Sequence, residues 1–416
     1  MRISVLCVGD ELLKGFTVNT NMSYIGLKLH EKGLVPDYSA TVPDFERELH
    51  ESLSWLCPLS DVIICTGGLG PTADDVTKQT IAKYFGLGLR FNEGIAENLR
   101  GRWKKLRRPG EMPKNNLVQA MIPEGAEIIP NKVGTAPGVL IEHPRGDKEP
   151  LRLFMLPGPP FEMRPMLDEF VIPRIISFSK EKCFTALYFG AGIPESVLEE
   201  MFQPVINEIP GLGAAYCASP EGVRLFLRHK DENALASAKE KTEKLFGKNL
   251  LAPESGFSLQ KDIIRLLREN KARLALAESC TGGIIAGQIT DIPGASDVFA
   301  GGVVCYSNES KINLLDVSPN IIDTHGAVSP ECAGQMLSGA LKKFGAEAGI
   351  AVTGIAGPDG GTDKKPVGLV YIAAGWRGKN IVKELPMMGG GRELIRLRSA
   401  GNALNTLRRL ILGIEQ

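Results

Sequence analysis

Asp61-Val62-Ile63-Ile64-Cys65-Thr66-Gly67-Gly68-Leu69-Gly70-Pro71-Thr72-Ala73-Asp74-Asp75 is the stretch on which the fold turns. Its unbroken apolar run predicts a strand over Asp61–Cys65 that is buried on both faces. Three glycines and a proline stop that strand, and a helical pattern then opens over Asp74–Phe85. Upstream lie strand-like runs at Ile3–Val8 and around Val35–Val42, with helical patterns at Asn21–Lys32 and Asp44–Trp55 between them. Strands alternating with helices predict parallel strands joined by crossover helices, a doubly wound α/β domain. Residues 86–150 add a basic helix and turn-rich pieces. Leu151–Leu156 reads as a further buried strand, ending in the rigid corner Leu156-Pro157-Gly158-Pro159-Pro160.

Around 175–255 the pattern changes. Short strands at Phe184–Phe189, Gly213–Cys217 and Val223–Arg228 flank helices at Glu195–Ile206 and Glu232–Phe246, which predicts a small α+β unit. Leu251-Ala252-Pro253-Glu254-Ser255-Gly256 reads as a linker. A second α/β module follows, with helices at Leu259–Glu269, Gly282–Thr290, Glu331–Phe344 and Arg392–Leu412. Its strands are predicted at Arg273–Ala277, Ala300–Ser307, Ala348–Thr353 and Val367–Trp376. The expected fold is two doubly wound α/β modules joined by a small α+β unit, with domains at 1–170, 171–255 and 256–416.

Composition narrows the function classes. Lys+Arg and Asp+Glu are 48 each, so no net field draws the chain to nucleic acid or anionic membrane. The densest basic run, Arg100, Arg102, Lys104, Lys105, Arg107 and Arg108, reads as a solvated helix face. No apolar run approaches the ~20 residues of a membrane span, and the start, MRISVLCVGDELL, reads as a first strand rather than a signal peptide. The eight cysteines include no CxxC pair, which argues against zinc or a disulfide framework and for a reducing, cytoplasmic compartment.

Two motifs fall at the carboxyl ends of the first module's strands, where open α/β sheets hold ligands. Gly9-Asp10-Glu11-Leu12-Leu13 ends the first strand, and Thr66, Gly67, Gly68 and Gly70 lead into a helix. Such a turn can offer main-chain N–H groups to phosphate, while Asp74 and Asp75 suit either a helix cap or a hard divalent cation such as Mg²⁺. The plain alternative is a tight turn with ordinary caps. With Asn19-Thr20-Asn21, the Asn131–Gly138 stretch and the Gly158 corner, the set resembles the molybdopterin-binding (MoaB/MogA-like) domain at the front of CinA-family proteins. That resemblance implies a site for a phosphorylated pterin- or nucleotide-like ligand. In some relatives the domain is a metal-dependent ADP-ribose pyrophosphatase. The middle unit resembles the family's KH-like spacer, but it has no GxxG clamp for nucleic acid and reads as a connector.

In the last module Ala277-Glu278-Ser279-Cys280-Thr281-Gly282-Gly283 leaves a buried strand for a helix start, a setting that favours developing negative charge. Gly294-Ala295-Ser296, Tyr306–Lys311 and Thr353-Gly354-Ile355-Ala356-Gly357 supply further polar, Gly-rich ends, which together point to one cleft. His30, His50, His143, His229 and His325 all lie outside these motifs, so a serine here has no histidine base. A lysine or tyrosine can take that place, and Lys311 and Tyr306 supply both types. Otherwise Ser279 is an N-cap, or Cys280 is the nucleophile.

These motifs, with Ala327–Pro330, resemble the CinA C-terminal domain of the PncC type, a metal-free amidase. It converts nicotinamide mononucleotide to nicotinate mononucleotide and ammonia. The resemblance implies Ser279 as nucleophile and Tyr306 with Lys311 as the proton-transfer pair. It also implies Gly282, Gly283, Ser296, Thr353, Gly354 and Arg392 around the substrate, and a homodimer. Gly389-Gly390-Gly391 stands where relatives commonly carry a polar Gly-Asp/Asn-Arg turn. The competing readings are an N-terminal ADP-ribose pyrophosphatase as the main activity, and a non-enzymatic adaptor in competence or DNA damage.

Overall fold

The computed structural model describes residues 1–105, 110–179, 182–251, 258–386 and 389–414. Arg107 and Arg108 of the basic run, residues 252–256 of the expected linker, and Met387 and Met388 lie outside the described residues. The chain divides into two compact units, Met1–Thr185 and Ala186–Gln416.

The first unit is built on β1 (Ile3–Val8), β2 (Tyr38–Val42), β3 (Val62–Thr66), β4 (Leu89–Phe91), β5 (Met121–Pro123), β6 (Glu127–Ile129), β7 (Gly138–Arg145) and β8 (Lys148–Leu156). Its main sheet has the order β2-β1-β3-β8-β7-β6. The β1–β2, β1–β3 and β3–β8 pairs are parallel, as the alternation predicts, whereas β7 and β6 add on antiparallel. The period of two places alternate residues of β1, β3 and β8 in opposite cores. Ile3, Val5, Ile64 and Phe154 pack beneath helices Thr20–His30 and Pro160–Met166, while Leu6, Val8, Ile63 and Met155 pack beneath Glu46–Leu59 and Thr77–Tyr84. Strands in the turn-rich 121–145 region were hidden because they are short or mixed in polarity, with Glu142 and Pro144 exposed on β7.

The second unit holds all but the first two residues of β9 (Phe184–Ala191), together with β10 (Gly213–Ser219), β11 (Gly222–His229), β12 (Leu274–Glu278), β13 (Phe299–Val304), β14 (Ala348–Gly354), β15 (Val370–Trp376) and β16 (Lys379–Glu384). β10-β11-β9 form the small sheet expected between 175 and 255. The larger sheet, β13-β12-β14-β15-β16, is parallel through β13, β12 and β14 and antiparallel beyond. Helices cover both of its faces. Leu274, Leu276, Ile350 and Ile372 pack with Leu259–Glu269 and Gly391–Ile411, whereas Ala275, Ala277, Ala351 and Ala373 pack with Pro330–Phe344. β16 follows β15 through Arg377 and Gly378, both at positive φ, a pairing that suits a tight hairpin turn.

Leu251, at the start of the expected linker, is fully buried; its N–H bonds Phe189 O, and both residues share the larger sheet's core. Arg408 bonds buried Asp262 at 2.6 Å and the carbonyls of Lys248 and Leu250, so the segment after helix Glu232–Phe246 is fastened to the last helix. No described helix is long and apolar enough to cross a membrane.

Candidate functional sites

β12 is buried along its length and ends at Glu278. Beyond it the chain turns through Gly282 and Gly283, at φ 60° and 94°, where a side chain would be strained. Helix Ile284–Thr290 begins there, and its first N–H groups need acceptors. Glu278 supplies them: its buried carboxylate accepts from Gly283 N at 2.9 Å, Ile285 N at 3.2 Å and Ala286 N at 2.8 Å. Sequence reasoning missed this residue, because an acid ending a buried strand reads as an ordinary polar boundary.

Ser279 is thereby free of capping. Its Oγ lies 3.1 Å from Lys311 Nζ, with Ser279 only 7% and Lys311 2% exposed. Helix Asn308–Leu315, started by a Ser307–Ser310 capping box, places Lys311 and Leu315 on its buried face. Lys311 Nζ also donates to Cys305 O at 2.9 Å and Tyr306 O at 3.3 Å, and no carboxylate pairs with it among the described residues. The Tyr306 hydroxyl is turned elsewhere: it accepts from Arg392 Nη2 at 2.9 Å, while Arg392 Nη1 holds Gly357 O at 2.7 Å. Tyr306 thus meets Lys311 through its main chain, and its exposed phenol forms a lip with Arg392.

A cavity of about 240 Å³ opens over this group, lined among others by Ser279, Tyr306, Lys311, Thr353, Gly354 and Arg392. Thr353 Oγ1 is itself committed to Ala327 O at 2.8 Å. Ser296 is exposed on the Ala295–Asp297 turn and does not line the cavity, nor do Gly282 and Gly283, whose part is the turn. Cys280 lines it, but burial pushes its thiol up to about 11, so the thiolate a cysteine nucleophile needs is scarce at neutral pH.

The first unit has the larger cavity, about 510 Å³, at the carboxyl ends of β1 and β3. Glu11, Asn21, Thr66, Gly67, Gly68, Gly70, Asp74 and Gly158 are among the residues that line it. Asn21 Nδ2 ties Thr66 Oγ1 at 3.0 Å to Gly158 O at 2.7 Å. Gly9 and Asp10 lie behind the lining, bonded through their N–H groups to Val42 O and Asp44. Sequence reasoning passed over Gln119, which lines the cavity almost fully buried, its Oε1 without a partner.

Asp74 and Asp75 do not fit a metal pair. Both Asp75 oxygens are taken within the loop, by the N–H groups of Gly70 and Thr72 at 2.8 Å each and by the Thr72 hydroxyl. No group of three His, Cys, Asp or Glu able to hold an ion occurs among the described residues. The lining is nonetheless acidic, and among the described residues no Lys, Arg or His joins it. Burial and the nearby charges of Glu11, Asp74 and Asp10 raise the Asp44 carboxyl.

Comparison with known proteins accounts for nearly the whole chain. Residues 4–177 match a family described as a probable molybdopterin binding domain, and residues 257–411 match the CinA C-terminal domain. A putative competence-damage inducible protein of Caldicellulosiruptor bescii is 40% identical, with 99% of this chain and all of that protein covered. A CinA-like protein of Dictyoglomus thermophilum is 38% identical across the full length of both chains. A crystal structure of the competence/damage inducible protein CihA from Agrobacterium tumefaciens is similar at 41% identity and a TM-score of 0.36, covering 38% of this chain and 94% of that one.

Proposed function

The chain belongs to the CinA family, and on that premise we propose that its C-terminal half hydrolyses the carboxamide of nicotinamide mononucleotide, giving nicotinate mononucleotide and ammonia. The observation that carries this reading is the buried Ser279–Lys311 pair, with helix capping left to Glu278. A serine that neither caps a helix nor faces bulk water, 3.1 Å from an amine, has the arrangement of a nucleophile and its base.

In this mechanism Lys311 acts as the amine base: its Nζ is held by the carbonyls of Cys305 and Tyr306 and lies 3.1 Å from Ser279 Oγ. Ser279 Oγ attacks the carboxamide carbon as its proton passes to Lys311 Nζ. The tetrahedral intermediate collapses, the C–N bond breaks, and Lys311 returns the proton to the departing ammonia. Water then attacks the acyl ester, giving its proton to Lys311; Ser279 leaves protonated and the carboxylate product is free. Arg392 and Tyr306 at the lip receive the nucleotide's phosphate, a guanidinium being suited to two-point contact with its oxygens.

For the N-terminal cavity we propose binding of a pterin- or nucleotide-like ligand, contacted by the main chain of Gly67–Gly70. No hydrolytic step is derived there, since the expected metal pair does not fit. The protein is read as a cytoplasmic homodimer with no role for nucleic acid. The test is ammonia release from nicotinamide mononucleotide by the full chain in EDTA, with ADP-ribose plus Mg²⁺ run in parallel. Ammonia with an equal yield of nicotinate mononucleotide supports the reading. Cleavage of ADP-ribose alone transfers the activity to the N-terminal unit.

A further inference from the structure

Three side-chain amides line the N-terminal cavity, and two of them are committed to the protein itself. Asn19 Oδ1 accepts from Met22 N at 3.0 Å as a helix cap, and Asn21 Nδ2 bridges Thr66 Oγ1 and Gly158 O. Gln119 is different. It is only 1% exposed, and its carboxamide neither accepts nor donates a hydrogen bond among the described residues. An unpaired buried amide is costly to the fold, so its presence at a cavity wall calls for a partner from outside the chain.

The residue is held in place. Gln119 lies on the short turn Lys114–Ala120 that runs into β5. Lys78 Nζ, itself buried, donates to Val118 O at 3.0 Å and Gln119 O at 3.2 Å, while Asn92 N donates to Ala120 O at 2.9 Å. With the main chain fixed on both sides, the amide meets a ligand without the cost of ordering a loop.

The chemistry of that partner follows from the amide. A carboxamide carries one acceptor and one donating NH₂ group, and exchanging its two ends leaves this set unchanged. A phosphate or carboxylate only accepts, and a metal ion takes only the oxygen, so each leaves one end of the amide unpaired. The rest of the wall adds acceptors: Glu11, Asp44, Asp74, Asp75 and Glu162 line it, with no basic side chain among the described residues. A heterocycle edge with an amino group beside a ring nitrogen supplies a donor and an acceptor together, as adenine does for Asn and Gln.

We propose that Gln119 is the specificity-determining residue of this cavity, pairing at two points with the edge of an amino-substituted nitrogen heterocycle, a purine or a pterin. This rests on the reading of the cavity as a pterin- or nucleotide-like site, and it moves the discrimination from the phosphate to the ring.

The test titrates the full chain and its Gln119→Met variant with AMP, neopterin and ribose 5-phosphate by calorimetry, and takes both melting temperatures without ligand. Methionine keeps the length of the side chain and removes both ends of the amide. The expected result is that AMP or neopterin binds the parent protein and loses about 10-fold or more in Gln119→Met, as a two-point amide–base pair is removed. Ribose 5-phosphate, which has no base, should behave alike in both proteins. The variant should melt no lower than the parent, since it leaves no buried amide unpaired. An affinity within about twofold of the parent overturns the proposal, a resident water then being the partner, and so does an equal loss for ribose 5-phosphate. If Gln119→Met melts below the titration temperature, Gln119→Leu carries the test by the same criterion. If neither heterocycle binds the parent, the binding reading of the N-terminal cavity fails and this role falls with it.

Discussion

The two cavities sit at equivalent places in their sheets, the carboxyl ends of parallel strands, yet they are built of different material. The N-terminal one is about 510 Å³, walled by glycine main chain and carboxylates, with no basic side chain lining it among the described residues. The C-terminal one is less than half that size, about 240 Å³, and buries a serine–lysine pair beneath an arginine. A roomy main-chain cradle can hold a ligand by shape and hydrogen bonds. A small cavity with a paired nucleophile and base can break a bond. The shared topology supplies the location, and the residues at the strand ends decide between holding and reacting.

The contrast breaks most visibly at Lys311. Lys311→Met should lower kcat for ammonia release by about 10³-fold or more while substrate still binds, which titration calorimetry would reveal. A variant that keeps its rate removes the reason to treat this cavity as the reactive one.

Next in size is pH, and this effect belongs to the N-terminal unit's Lys78. Lys78 is buried beside its cavity, donating to Val118 O at 3.0 Å and Gln119 O at 3.2 Å. Burial lowers its pKa from 10.5 to about 8, with Asp75 opposing. The folded-state value is depressed, so the unfolded chain binds more protons between pH 8 and 10.5, and stability rises with pH across that window. The penalty relieved is roughly 3 kcal/mol. Urea unfolding at pH 7.5 and pH 10 should show the rise, and Lys78→Met should flatten it; equal slopes in both proteins contradict the assignment.

A smaller effect sharpens the division of labour at the β12 end. Glu278→Gln keeps a side-chain oxygen but loses the charge and one acceptor for the three N–H groups, and should cost about 1–3 kcal/mol. Ser279→Ala should leave the urea midpoint almost unchanged. Equal losses in the two would return Ser279 to a capping role.

Much of this was legible without coordinates, because hydrophobic period and glycine punctuation are local signals. β1 and helices Glu232–Phe246 and Leu259–Glu269 fall on the residues expected for them, and the strand ends carry the motifs. The missed parts have physical reasons. The Asn308–Leu315 helix has little amphipathic contrast, since Lys311 occupies its buried face. Tyr306 pairs with Arg392 across 86 residues of chain, which no local pattern announces. Asp75 is the opposite case: its bonds to Gly70 and Thr72 are local, and an acid closing a glycine turn could have been read as the loop's own staple.

The most direct test of the central claim sets Ser279→Ala beside Cys280→Ala, each assayed as the full chain for ammonia release from nicotinamide mononucleotide in EDTA. The account predicts that Ser279→Ala loses several orders of magnitude in kcat, while Cys280→Ala, whose thiol is held protonated by burial, keeps nearly all of it. A dead Cys280→Ala with an active Ser279→Ala, or equal activity in both, would contradict it.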